Sequence, residues 1–153
     1  VPADLIDDIL GITPDGPVGL LRRRRPEALR HAEGAHRELL LPGDPGGLSL
    51  ADRAALALRV AQREGDAALA AHYQRLLDAA GGAPEDARLQ ALLRYAEVVA
   101  AAPENTSRDD IDGLAALGLS SRDIVAATQL IAFVPYQVRV FAGLRALMQE
   151  TTP

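Results

Sequence analysis

The chain has 153 residues, a length suited to one domain with a real hydrophobic core. Hydrophobic residues make up 48% and aromatics only 3%, which argues against disorder and predicts a core of Ala, Leu, Val and Ile in closely packed helices. A net charge of −5 and a pI of about 5.1 argue against nucleic acid as a partner, and the lack of any cysteine excludes disulfides, thiolate metal sites and cysteine nucleophiles.

No stretch alternates cleanly between apolar and polar residues, so no strand is predicted. The opening "VPADLIDDIL" lacks a basic region followed by an apolar stretch, so it does not read as a signal peptide. Asp4–Leu10 reads as a short acidic helix, broken by the prolines and glycines of "GITPDGPVG". The basic run Arg22–Arg25 reads as a solvated helix end. Pro26 suits the first position of a helix running to about Leu41, with Leu29, Ala32, His36, Leu39 and Leu40 on one stripe. "PGDPGG", Pro42–Gly47, is the clearest loop.

Three capping-box patterns follow: Ser49 with Asp52, Thr106 with Asp109, and Ser120 with Asp123. In each, a hydroxyl can accept from an orphan amide while the acid faces the positive end of the helix. The first opens a helix from Ala51 to about Glu64. Gly65 loosens it, and a second segment runs to Ala80. Pro84 begins another, with Leu89, Leu92, Leu93, Ala96 and Val99 inward. The last two helices are expected at about Ser121–Val134 and Pro135–Gln149, with Pro135 as a kink or restart. No apolar run reaches the ~20 residues of a membrane span, because Thr128, Gln129 and Pro135 interrupt the longest. A cytoplasmic protein with no membrane contact is the expectation. No fixed repeat period is found.

The ordered set of segments resembles the alkylhydroperoxidase-D-like (AhpD-like), or carboxymuconolactone decarboxylase-like, superfamily. "LSLADRAALALRVAQREGDAALAAHYQRLL" is similar to that family's core helix pair, and "LGLSSRDIVAATQLIAFVPYQVRVFAGL" to its closing segment. Residues 1–47 resemble the N-terminal extension of a subgroup of small proteins in it, ahead of a core at 48–150. The resemblance implies one all-α, AhpD-like helical bundle over 1–153, assembling as a homodimer, trimer or hexamer. In redox-active members two cysteines reduce peroxide while an acid and a histidine relay protons. Carried over by position, the cysteines fall on Gly65 and Ala68, the histidine is kept as His72, and the relay acid falls on Arg53, beside Asp52. Thiolate attack on peroxide needs a sulfur that neither Gly nor Ala supplies. The decarboxylase branch needs no cysteine pair.

His72, near the apolar face with Leu69, Tyr73, Leu76 and Leu77, is either a packed histidine bonded to backbone or a proton-transfer group. His36 reads as a core or interface histidine, and nothing in the spacing brings it to His72. His31 reads as surface. Counting the first cysteine position as helical puts Gly65, Ala68 and His72 on one face. Tyr136 and Arg139 could give an anionic ligand a hydroxyl and a cation, and Arg53 could bind a carboxylate or pair with Asp52 or Glu64. No H-x-x-x-H or E-x-x-H pair stands at a ligand-ready position, so no metal and no cofactor are expected. Two functions follow: a homologue without redox cysteines that binds a ligand or pairs with a related, cysteine-bearing protein, or a non-redox enzyme using His72 as acid/base on a small organic acid.

Overall fold

The computed structural model describes residues 4–150, and the proposed domain ends at 1–3 and 151–153 lie outside them. Among the described residues there is no strand. The helices are α1 (Leu5–Leu10), α2 (Pro17–Arg23), α3 (Pro26–Leu40), α4 (Leu50–Glu64), α5 (Ala67–Ala79), α6 (Ala87–Ala101), α7 (Arg108–Ala116) and α8 (Ser121–Glu150).

The body is built around α4, which packs on α5, α6 and α8. In its buried run Ala51–Ala57, four alanines let neighbouring helices approach closely, while Asp52 and Arg53 are the buried charges. Leu48, Leu56, Val60, Leu69, Leu92, Leu130, Ile131, Val134 and Phe141 fill the space between these helices. α1 to α3 form an outer layer, of which α1 and α3 reach α5 and α4 respectively and all three touch α8.

Helix starts largely follow the sequence. Ser49 and Asp52 form a reciprocal capping box, and Ser120 and Asp123 exchange the same bonds at 2.9 and 3.2 Å. The middle box is shifted by one residue, to Ser107 and Asp110, where the Ser107 hydroxyl accepts from the Asp110 amide and the Asp110 carboxylate accepts from the Ser107 amide. Pro84 does not begin α6: Asp86 caps it by accepting from the Leu89 amide.

Three expectations are corrected. First, "GITPDGPVG" is not only a break, since Pro17 opens α2 as its first residue. Gly19 makes this possible, because a Cβ there would lie 2.2 Å from the Thr13 carbonyl oxygen. Second, Arg22 is not a solvated end. Its side chain is only 10% exposed and its guanidinium bridges Asp4, at 2.8 Å, and Asp7. Arg23 donates to the Pro14 and Gly19 carbonyls at 3.0 and 3.1 Å. Third, α8 runs through Pro135 as one helix. The ring removes the donor that would serve the Ile131 carbonyl, but Ile131 and Val134 are fully buried and packing holds the helical path. Joined in this way, Ser121–Gln149 is long and apolar enough to cross a membrane, with a mean hydropathy of 1.4 over its most apolar window. In this bundle its Ile124, Ala127, Leu130, Ile131, Val134 and Phe141 are core residues.

Candidate functional site

The sharpest polar feature is one the sequence left open. His36 on α3 and His72 on α5 meet with their Nε2 atoms 3.2 Å apart. One ring must donate Nε2–H and the other accept, so the two imidazoles are different tautomers. The partner of His72 is thus a second histidine rather than backbone. His36 is buried and His72 half-buried. Tyr73 fixes both rings, stacking on His36 at 6.5 Å and meeting His72 edge-on at 5.2 Å.

Burial decides their charge. Desolvation lowers His36 from 6.5 to about 4. It does the same for His72, also to about 4, with the fields of His36 and Arg75 adding to it and Glu33 opposing. Both are neutral at pH 7. Burial raises the Tyr73 hydroxyl well above its ordinary value, so it acts only as a neutral donor, to Gln137 Oε1.

A cavity of about 10 Å³ lies beside His36, lined by Asp4, Ile6, Glu33, Phe133, Tyr136 and Gln137 among others. That is room for a single water. Glu33 stands one turn before His36 on α3, and its Oε2 accepts from the Leu5 amide at 3.2 Å. Among the described residues no group of three or more His, Cys, Asp or Glu side chains is placed to hold a metal ion.

The cysteine-equivalent segment is a structural corner. Gly65 closes α4 in the left-handed conformation, φ 76°, so it is not on the helix that carries His72. The expected three-residue face therefore reduces to Ala68 and His72, one turn apart on α5. Asp66 caps α5 through the Leu69 amide at 3.0 Å and holds Arg145 of α8 at 2.6 Å. Burial opposes its charge, but Arg145 and the helix amides outweigh that and keep the carboxyl below the usual range.

The remaining candidates separate. Tyr136 lines the histidine cavity while stacking on Phe133 at 5.8 Å. Arg139 is 72% exposed, within 3.8 Å of Glu64, and bonds the Pro135 carbonyl. Arg53 is buried, and its guanidinium donates to the carbonyls of Leu48, Leu39 and Pro45 at 2.9, 2.8 and 3.0 Å. It clamps the α3–α4 loop rather than facing the histidines, and borders a separate surface cleft of about 610 Å³. His31 is exposed, beside Glu27.

Two members of the site escaped sequence reasoning. Gln137 is 2% exposed, and its signal was a polar residue on the stripe of Leu130, Val134 and Phe141. Glu33 was signalled by its three-residue spacing from His36, an E-x-x-H pair that the sequence reading set aside and that the structure places on one cavity.

No family model matches the chain, and no curated protein is significantly similar to it. Among solved structures it is similar to an uncharacterized peroxidase-related protein from Silicibacter sp. TM1040, with 22% identity and a TM-score of 0.59 over 78% of this chain and 69% of that one. The likeness establishes the fold: an all-α helical bundle shared with that peroxidase-related protein, as the resemblance to the AhpD-like family led one to expect.

Proposed function

We propose that the protein is a non-redox homologue on the AhpD-like scaffold, working through self-association, ligand binding or pairing with a related, cysteine-bearing protein rather than through thiol peroxidation. The observation that carries this reading is the corner at Gly65–Ala68. The positions that would hold sulfur carry none, and the backbone there is committed to ending one helix and capping the next. A side chain at Gly65 would have to sit in the left-handed region that L-residues rarely adopt, so the segment is built for a turn. The outer face of α8 favours association. Val125, Tyr136 and Leu147 are 56%, 48% and 43% exposed on a helix with few charges.

Peroxide reduction with dithiol donors tests the reading, using metal-free protein alongside light scattering for mass in solution. The expected result is no turnover above buffer and a mass above that of one chain. Peroxide turnover that disappears in His72→Gln overturns it.

A second reading is acid/base chemistry at His72 on a small organic acid, as in the decarboxylase branch. It is favoured by the proton held between His36 and His72. Against it stand a cavity sized for one water and imidazoles too weakly basic to hold a proton at neutral pH. Screening lactone acids separates the two readings, since decarboxylation abolished by His72→Gln would establish the second.

A further inference from the structure

We infer that the outer face of α8 is an interface with a second copy of this chain, in which the two α8 helices pack antiparallel about a two-fold axis at Tyr136. This names the surface behind the self-association proposed above and rests on that reading. The stripe of α8 that faces away from the core runs from Val125 to Leu147 in steps of three and four residues, and Tyr136 is its midpoint. Val125 and Leu147 are equally far from Tyr136 along the chain, as are Gln129 and Gly143, and Ala132 and Val140. Val140 is half-buried and the others are exposed. A two-fold axis sets residue i against j and j against i. Antiparallel pairing at Tyr136 therefore puts Val125 on Leu147 at both ends, gives the Gln129 amide the space beside Gly143, and places Val140 against the small Ala132. These small residues let the helix axes approach to the usual distance of about 8–10 Å. Charge selects the same arrangement. Asp123 is buried and Arg145 is held by Asp66 on the core side, while Arg139 sits at the margin, bonded to the Pro135 carbonyl. The stripe itself carries no charge. Antiparallel register sets Arg122 opposite Glu150 of the partner subunit at each end, whereas parallel register would set Arg122 on Arg122. Only 39% of the most apolar window of α8 is buried within one chain, so most of it is left for a partner.

The chain has no cysteine of its own, so introduced thiols test the register directly. In the full chain, Tyr136→Cys places one thiol on the axis. Copper–phenanthroline oxidation is expected to link it to its counterpart at least ten times faster than Gln90→Cys, on the exposed face of α6, because helices at that separation bring the two Cα atoms near the roughly 4.4–6.8 Å a disulfide spans. Val125→Cys combined with Leu147→Cys is expected to link as well, and Val125→Cys alone is not. Light scattering is expected to give the mass of an even number of chains, and Ala132→Arg to lower it to one chain while circular dichroism stays helical. If Tyr136→Cys itself lowers the mass, the Val125→Cys and Leu147→Cys pair decides the question. A multiple-chain mass without fast linkage at either site overturns the inference and leaves self-association through another face. A mass of one chain for the unsubstituted protein overturns both, and co-sedimentation with phosphatidylcholine vesicles would then assign the face to a bilayer.

Discussion

The outer layer, α1 to α3, and the body, α4 to α8, are held together by different physics. In the body, fully buried aliphatic side chains such as Leu56, Val60, Leu92, Leu130 and Ile131 interdigitate. The outer layer adds Ile6 and Leu40 to that core, but it is further pinned by polar contacts: Arg22 on Asp4 and Asp7, Arg23 on two carbonyls, and Glu33 on the Leu5 amide. Area removed from water is non-directional and tolerates small shifts, whereas charge-assisted hydrogen bonds set position to a few tenths of an ångström. The histidine pair lies at the seam, with His36 supplied by the outer layer and His72 by the body. The outer layer therefore acts as a positioned cover, and its displacement would part His36 from His72.

The largest way to break this contrast is Leu56→Ala in the body. A cavity left by a fully buried leucine costs about 3–5 kcal/mol, and cooperative loss of both layers is expected in a denaturant melt. Arg22→Ala should act on the outer layer alone. It leaves the nearly buried Asp7 without its main cation, at about 2–3 kcal/mol, and hydrogen exchange should speed up in α1 and α2 while α4 and α8 stay protected. A melt that lowers both layers equally would refute their separation.

Acid sharpens the comparison at the seam. Both histidines have folded values of about 4, below 6.5. Between those limits the unfolded chain binds more protons than the folded one, so stability is full above pH 6.5 and falls as pH drops towards 4. A loss of roughly 2 kcal/mol for each histidine between pH 7 and 5 is expected, and His72→Gln should roughly halve the slope in melts across the range. The smallest effect is expected from Arg30→Ala. Arg30 pairs with Glu27 where both side chains are about 70% exposed, at 68% and 70%, and its loss should shift stability by less than about 0.5 kcal/mol.

Much of the helical order was legible because its signals are local. The hydroxyl–acid pairs at Ser49 and Ser120 mark two starts, Pro26 marks a third, and the glycine after Glu64 marks an end. The errors arose where tertiary packing outweighs a local preference. Pro135 breaks helices in isolation, yet it lies in α8 with buried neighbours on the turn before it. Arg22 looks like a surface cation until α1 brings two carboxylates to it. Arg53 looked like a substituted pocket residue by counting, while the fold turns it onto three carbonyls of the preceding loop.

The sequence by itself determined the all-helical class, the lack of thiol chemistry and the stripe that carries His36, because composition and helical period depend only on neighbours a few residues away. Only the tertiary structure decided that His36 meets His72. Those residues are separated by a loop and the whole of α4, and no periodicity within one helix encodes the approach of two side chains across the packing of three.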